Sequence, residues 1–569
     1  MVESLLALGA ANPLPPFALF FAGALLLAVL PHRLRVLPWL LVPALSALTI
    51  ASYDHGVVLD MQMMGLSMDL VEVDKLSIIF GYLFSLSALI GGIFSLHLDD
   101  RLQHVSQMAY AGTALGAVFS GDLLSLFLFW EGMVATSVFL IYARRSPTSV
   151  SVAQRYLLFQ VTSGVLLLAA AIFMFQDSGS YDFTAMTLET PAGVLLFLAF
   201  GIKAAFPFLH TWMTDAYAEG TVTGAVFLSS LTTKTAIYCL ARGYAGTDIL
   251  IWVGVVMAAM PIFYAVIEND LRKVLAYSLM NQLGFMIVGI GIGTELALNG
   301  TVSHAFSHVL YKSLLFMSMG AVLYKTGKID GSDLGGLYKS MPFTTVFCII
   351  GAASISAFPL LSGFISKSMI ITAAIKADLT FVWCVLLFAS AGVFHHAGIK
   401  IPYFAFFAHD SGIRTSEAPL NMLIAMAIAA TFCILIGSFP SYLYSMLPWE
   451  VDYWPYDYTH VVSQLQLLMF SALAFVWLNL RGIYPPEIHG VNLDSDWFLR
   501  RLIPAGIRRV GAPLLQGFIN VRGVAAGAVQ RLYAVTGQRL TPEREYQWVS
   551  DIGIIITVLT LGFAVLLSY

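Results

Sequence analysis

Apolar positions in this chain do not recur at the three-to-four residue spacing of a helix resting on a globular core. They run on around the whole helix for about twenty residues at a time, the length that crosses the hydrocarbon of a bilayer. On that measure the pattern predicts about sixteen spans, at 14–31, 37–53, 73–98, 103–119, 121–142, 153–176, 192–218, 222–243, 248–268, 273–293, 300–325, 342–376, 383–407, 418–439, 461–481 and 548–568. Two of them, 192–218 and 342–376, are long and contain a proline in similar surroundings, Ala205-Phe-Pro-Phe-Leu209 and Ala357-Phe-Pro-Leu-Leu361. The ring of Pro207 collides with the carbonyl of Lys203, one turn earlier, and breaks the helix there. Four intact spans separate the two breaks, so the repeat unit is five helices, and an odd unit inserts in the opposite orientation. Inverted repeats with paired interrupted helices point to a pathway near the bilayer midplane.

Two stretches between spans have patterns of their own. Residues 55–72 alternate partially and carry acids, which predicts an external β-hairpin. From Asp494 to Arg544 apolar residues interleave with Arg500, Arg501, Arg508, Arg509, Arg522, Arg531, Arg539 and Arg544. That predicts an amphipathic helix on the membrane interface, interrupted at Pro504 and Pro513, reaching about 75 Å if continuous. The expected fold is an all-α polytopic membrane protein with two inverted five-helix repeats, each with a broken helix, and a C-terminal amphipathic lateral helix. Its divisions are 1–100 for the first helices and hairpin, 101–243 and 244–410 for the repeats, 411–485 for further spans, 486–547 for the lateral segment and 548–569 for the last span.

Composition agrees with a membrane setting: 59% of residues are apolar and 11% charged, against roughly 25% charged in an ordinary soluble domain. The net charge of -4 argues against nucleic acid as a partner. Cys239, Cys348, Cys384 and Cys433 sit singly in apolar runs, which argues against disulfide frameworks, zinc ribbons and iron–sulfur clusters. The N-terminus lacks a basic leader region, and the first apolar run, Phe17 to Leu30, is expected to stay as a span. Basic loops collect on the cytoplasmic side. His32, Arg33 and Arg35, then Arg144/Arg145, Arg272/Lys273 and Lys325/Lys328/Lys339, therefore put the N-terminus outside, while 177–190 and 440–460 carry no Lys or Arg and fall outside.

Ionisable residues inside the spans are costly, by at least about 2.5–3.5 kcal/mol on insertion scales, and so mark function. Lys203 and Lys234 lie on adjacent apolar segments, and Glu131 is the acid deep in the first half. A Glu131–Lys203 pair would hold both charged. Parting such a pair from about 4 to 8 Å, at an effective dielectric of about 20, removes roughly 2 kcal/mol, enough to release a proton from a buried lysine. A static ion pair is the plain alternative. His304, His308 and Lys312 form one polar stripe at four-residue spacing, suited to proton exchange near neutral pH; metal, haem and structural hydrogen bonding are the competing uses. Lys367 follows the second break as a candidate exit group. Lys400 is read as reaching for the membrane surface, and Asp215 and Glu219 as either pathway residues or helix caps. No NAD fingerprint, flavin motif or cluster ligand is present, so a catalytic site and resident cofactors are not expected and partners must supply any redox chemistry.

Lys203, the Pro-x-x-His-x-Trp-x-x-Asp-Ala run from Pro207 to Ala216, Lys234 with Tyr238 and Arg242, Asp270-Leu-Arg-Lys with Ala276-Tyr-Ser, the histidine stripe, and Pro359 with Ser362-Gly-Phe-Ile-Ser-Lys367 together resemble the antiporter-like subunits of respiratory complex I and Mrp-type cation/proton antiporters. The similarity covers roughly residues 70–410, and the arginine-rich segment resembles the lateral helix of the large members. The resemblance implies proton translocation through Glu131, Lys203, Lys234, His304, His308, Lys312 and Lys367, within a complex of other integral membrane subunits that exchanges protons for Na+ or K+, in a bacterial inner membrane. A proton-channel partner of an inorganic-carbon uptake complex and a haem- or quinone-binding electron carrier are the alternatives.

Overall fold

The computed structural model describes residues 14–516 apart from 64, 496, 507, 510, 512, 514 and 515. They fall into two units divided between Asn492 and Leu493. In the first, helices α1 (Pro16–Val29) and α2 (Val36–Ala51) lead into strands β1 (Gly56–Met63) and β2 (Leu66–Val73), which pair antiparallel as the hairpin expected over 55–72. Helices α3 (Lys75–Ser95), α4 (Arg101–Phe119), α5 (Leu123–Tyr142) and α6 (Ser149–Ser178) follow. The first broken span is α7 (Pro191–Lys203) and α8 (Thr211–Glu219). Then come α9 (Gly224–Gly243), α10 (Ile249–Ile267), α11 (Leu271–Ile292) and α12 (Glu295–Thr326), and the second broken span, α13 (Pro342–Ile355) and α14 (Ser362–Lys376). Helices α15 (Thr380–Phe407), α16 (Leu420–Ser438) and α17 (Tyr458–Leu480) complete the unit.

Every span expected before residue 482 has its helix. Each sharp start is chemically marked: Asp74, Asp100, Asp122, Asp270 and Asp457, and the hydroxyls of Thr190 and Thr294, accept from first-turn amides that have no helical partner. Among the described residues, ten helices are long and apolar enough to cross a membrane. Several of the rest are halves of a broken span or, like α9, carry their polar residues inward. Helices α9, α11 and α12 are buried on nearly every face, whereas α6 and α17 leave Leu158, Val165, Phe470 and Leu473 outward. Polar groups thus concentrate at the centre and apolar ones on the rim, as lipid demands.

The hairpin is locked to the helices beneath it. Gly121 N donates to Asp69 O at 3.0 Å and Asp69 N to the Asp122 carboxylate at 2.6 Å. Arg242, on the last turn of α9, holds Glu72 and Asp74 at 3.0 Å each while donating to Tyr238 Oη at 2.8 Å. In the second unit, Phe498–Leu502 is helical and carries Arg500 and Arg501. The remainder of the expected lateral segment beyond 516, and the last span at 548–568, lie outside the described residues.

Candidate functional site

Both breaks have one geometry. After α7 the amides of Ala204, Ala205, Phe206 and Leu209 donate to the carbonyls of Phe200, Ile202, Gly201 and Phe206; after α13 those of Ser356, Ala357, Phe358 and Leu361 donate to Ala352, Ser354, Ala353 and Phe358 in the same order. Ala205 and Phe208, at φ 62° and 67°, have their counterparts in Ala357 and Leu360, at 59° and 71°. These are left-handed conformations that a side chain resists, so a strained backbone is held in the same way twice. A second correspondence lies at the helix starts, where Asp122 bridges to Asp182 and Asp270 to Asp330.

Lys203 closes α7 and is fully buried. Its ammonium donates to Trp130 O at 3.3 Å and lies 3.9 Å from the Trp130 ring centroid, a cation–π position. The Trp130 indole is fixed in turn by Ser163 Oγ at 3.0 Å. Glu131 is half-buried against α6 and within electrostatic reach of Lys203, but the two are not in ion-pair contact; Glu131 Oε1 has no hydrogen-bond partner among the described residues. A Cβ on Gly164 would fall 1.6 Å from that oxygen, so the glycine is what admits the carboxylate.

Lys234, also fully buried, donates to Ser229 O at 2.6 Å and Thr233 Oγ1 at 3.3 Å. Beside it Ser230 Oγ meets Ser313 Oγ of α12 at 2.9 Å. The stripe on α12 faces inward as its spacing implies. His304 Nδ1 is 3.0 Å from Ser366 Oγ of α14, and Tyr311 Oη joins His304 Nε2, at 3.4 Å, to Gln282 Oε1, at 3.2 Å. His308 and Lys312, with Ser303 and Ser307, are completely buried and have polar atoms without partners among the described residues. At the second break Lys367 donates to Ile355 O at 2.9 Å, while Gln464 of α17 takes the next carbonyl, Ser356 O, at 3.1 Å. The carbonyls freed by the break are thus claimed by a lysine and an amide. A cavity of about 390 Å³ opens beside Lys367, lined by Ser368, Thr372, His460, Ser463 and Gln464. His460 Nε2 lies 3.1 Å from Thr372 Oγ1, and its Nδ1 pairs with Asp457.

The basic groups are close enough to act on one another electrostatically: Lys234 with Lys312 and both histidines, and Lys367 with His304 and His308. The structure therefore brings five of the seven residues into one buried chain and sets Glu131 and Lys203 together at its first-half end.

Residues 120–394 match the family model described as NADH:quinone oxidoreductase/Mrp antiporter, a transmembrane domain. The chain is 30% identical to the large Na(+)/H(+) antiporter component of Alkalihalophilus pseudofirmus, over 77% of this chain and 59% of that protein. It is 27% identical to hydrogenase-4 component B of Escherichia coli, over 66% of this chain and 63% of that protein. The fold matches a chain of the Mrp complex from Dietzia sp. DQ12-45-1b with a TM-score of 0.75 at 22% identity, covering 96% of this chain and 66% of that one. The chain belongs to the complex I/Mrp antiporter-like superfamily. It spans about three fifths of the length of the curated relatives it matches. It is a multi-pass integral membrane protein.

For this antiporter-like chain all seven candidate residues lie inside the stretch that the family model covers. Asp215 and Glu219 do not line the buried chain; they are engaged by Arg155 at 3.1 Å and Arg144 at 3.5 Å. Lys400 differs from its sequence reading. It does not reach for the membrane surface but is completely buried, 2.9 Å from Glu487 in the segment after α17. Sequence reasoning named neither Glu487 nor His460. The usable signal was that each is an ionisable residue at the end of an apolar span, a rule that many surface residues also satisfy.

Proposed function

We propose that this chain is a proton-translocating subunit of a multi-subunit membrane complex of the Mrp-antiporter or complex I type. One observation carries the reading: a line of fully buried lysines and histidines runs between two identically broken helices. Partnerless polar atoms at Ser303, Ser307, His308 and Lys312 support a hydrated path, since buried polar groups without protein partners call for water. Protons enter the line at Lys203, whose affinity rises and falls as Glu131 approaches and withdraws. Lys234 receives the charge, the stripe from Lys312 to His304 carries it, and Lys367 delivers it to the cavity next to it.

The segments 101–243 and 244–410 serve as two inverted half-channels. The matched hydrogen-bond series at the breaks and the paired aspartate bridges support a repeat, and the five spans from α5 to α10, counting α7 and α8 as one, separate the two bridges and so reverse its orientation. We further propose an outward N-terminus, a bacterial inner membrane, and partner membrane subunits braced by the 486–547 segment. The partners provide the driving step, since the chain's own residues offer acid–base chemistry. Relatives named as a Na(+)/H(+) antiporter component and as hydrogenase-4 component B support assembly with such partners and Na+ or K+ as the exchanged ion.

The test is purification of the intact complex with its co-subunits, reconstitution in vesicles, and measurement of internal pH when Na+ or K+ is imposed on one side. A cation-dependent pH change that disappears in an assembled Lys203→Ala complex is the expected result. An unchanged response in that variant contradicts the reading.

A further inference from the structure

His395, His396 and Lys400 have no place in the relay just described, and Lys400 lies beyond the stretch that the family model covers. Their helix is unusual where they sit: α15 winds as a π-helix over Phe394–Lys400, a form found mostly as single turns at functional sites. His396 and Lys400 are both completely buried there. Neither ring nitrogen of His396 has a partner among the described residues. The cations that face it are Lys312 on α12 and Lys400 on its own helix, with His395 beside it. His395 points the other way and stacks on Tyr484, ring centroids 5.3 Å apart.

Lys400 is held by four oxygens. Its ammonium donates to the carbonyls of Val266 and Glu268 at 2.7 Å each and of Ala265 at 3.2 Å, and pairs with Glu487 at 2.9 Å. Those carbonyls end α10, the negative end of the helix dipole. Glu487 reaches this site from the surface: Pro486 and Ile488 on either side are exposed, while its own side chain is 5% exposed. Burial raises the Glu487 carboxyl above its ordinary range, and Lys400 draws it back only in part. Glu268 lies alongside and accepts from Asn492 Nδ2 at 3.1 Å.

The ends of α17 settle which face this is. The cavity beside Lys367 reaches His460 at the N-terminal end of α17, and Glu487 follows its C-terminal end. The 23 residues of α17 are about 35 Å long at about 1.5 Å per residue, the thickness of a bilayer core.

We propose that Glu487, Lys400 and His396 form a second proton port, on the face opposite the Lys367 cavity, that feeds Lys312 directly. The port rests on the relay reading above and completes a transmembrane path within the second half and α17. Glu487 takes a proton from water and loses its charge. Lys400, no longer paired, passes its own proton to His396, which hands it to the neutral amine of Lys312. The proton on Glu487 then returns to Lys400, restoring the ion pair. One proton has moved from solvent to Lys312, and no other atom or electron has changed place.

The rival account is a static latch tying α15 to the segment after α17. Proton flux as a function of pH in vesicles carrying the intact complex separates the two, using Glu487→Gln, Glu487→Asp and the exchanged pair Lys400→Glu with Glu487→Lys, with Lys203→Ala as the control on the relay. The port requires that Glu487→Gln lower flux at least about tenfold. It requires that Glu487→Asp keep flux but shift its pH midpoint. The exchanged pair, which rebuilds a latch with the acid on the wrong side, must stay slow. Wild-type flux in Glu487→Gln or in the exchanged pair, while Lys203→Ala blocks transport, overturns the port and leaves the relay standing. Wild-type flux in Lys203→Ala overturns the relay and the port with it. If Glu487→Gln does not assemble, Glu487→Asp decides, and an unchanged pH profile there overturns the port.

Discussion

Glu131 illustrates how a missing side chain makes room for a charge. Its carboxylate lies over Gly164 of α6, in space that any Cβ would fill, and it stands near Lys203 without closing an ion pair. A carboxylate free to approach and withdraw modulates the lysine more than a clamped one does, because the interaction changes by roughly 2 kcal/mol over a few ångströms. Gly164→Ala pushes the acid off its seat while leaving both charged groups in the chain. The expected outcome is an assembled complex whose proton flux falls about tenfold, about 1.4 kcal/mol in barrier; full flux in that variant would show that the Glu131 position does not matter. The cavity beside Lys367 and the Trp130 ring over which Lys203 sits are of the same kind, local features that set the surroundings of one cation. None was legible in the sequence, because each depends on residues brought together from different helices.

Elements were far more legible. Span length and hydropathy located the helices, since a bilayer imposes one length on every crossing. The proline breaks were legible because the steric conflict between a proline and the carbonyl one turn earlier is local. The hairpin at Gly56–Val73 was visible as alternation, but its anchor was not. Arg242 was singled out beside Lys234 and Tyr238 as part of a motif, and the structure assigns it to the hairpin through Glu72 and Asp74. Removing it leaves two carboxylates without their cation. Discounted for their partial exposure, that costs about 1–2 kcal/mol. In Arg242→Ala, amide hydrogen exchange is expected to speed up across 56–73 while α9 stays protected. Unchanged exchange in the hairpin would mean that the backbone bonds to Asp69 and Asp122 suffice.

Across the whole molecule, a polar core is enclosed by apolar helices, with the costliest groups farthest from lipid. Buried lysines and histidines with few partners weaken a fold, so their alignment between two strained breaks is an arrangement that stability alone does not explain. The sequence made the line visible as ionisable residues in apolar runs; it left out the ends, because Glu487 and His460 gain meaning only when α15 and α17 are seen side by side. The claim that binds these scales together is that charge passes through Lys234, the group between the two halves. Proton flux into vesicles containing the assembled complex with Lys234→Ala measures this most directly. The account predicts loss of coupled flux, at least about a hundredfold or about 2.7 kcal/mol, with every component still present; wild-type flux in that same assembled complex would contradict it.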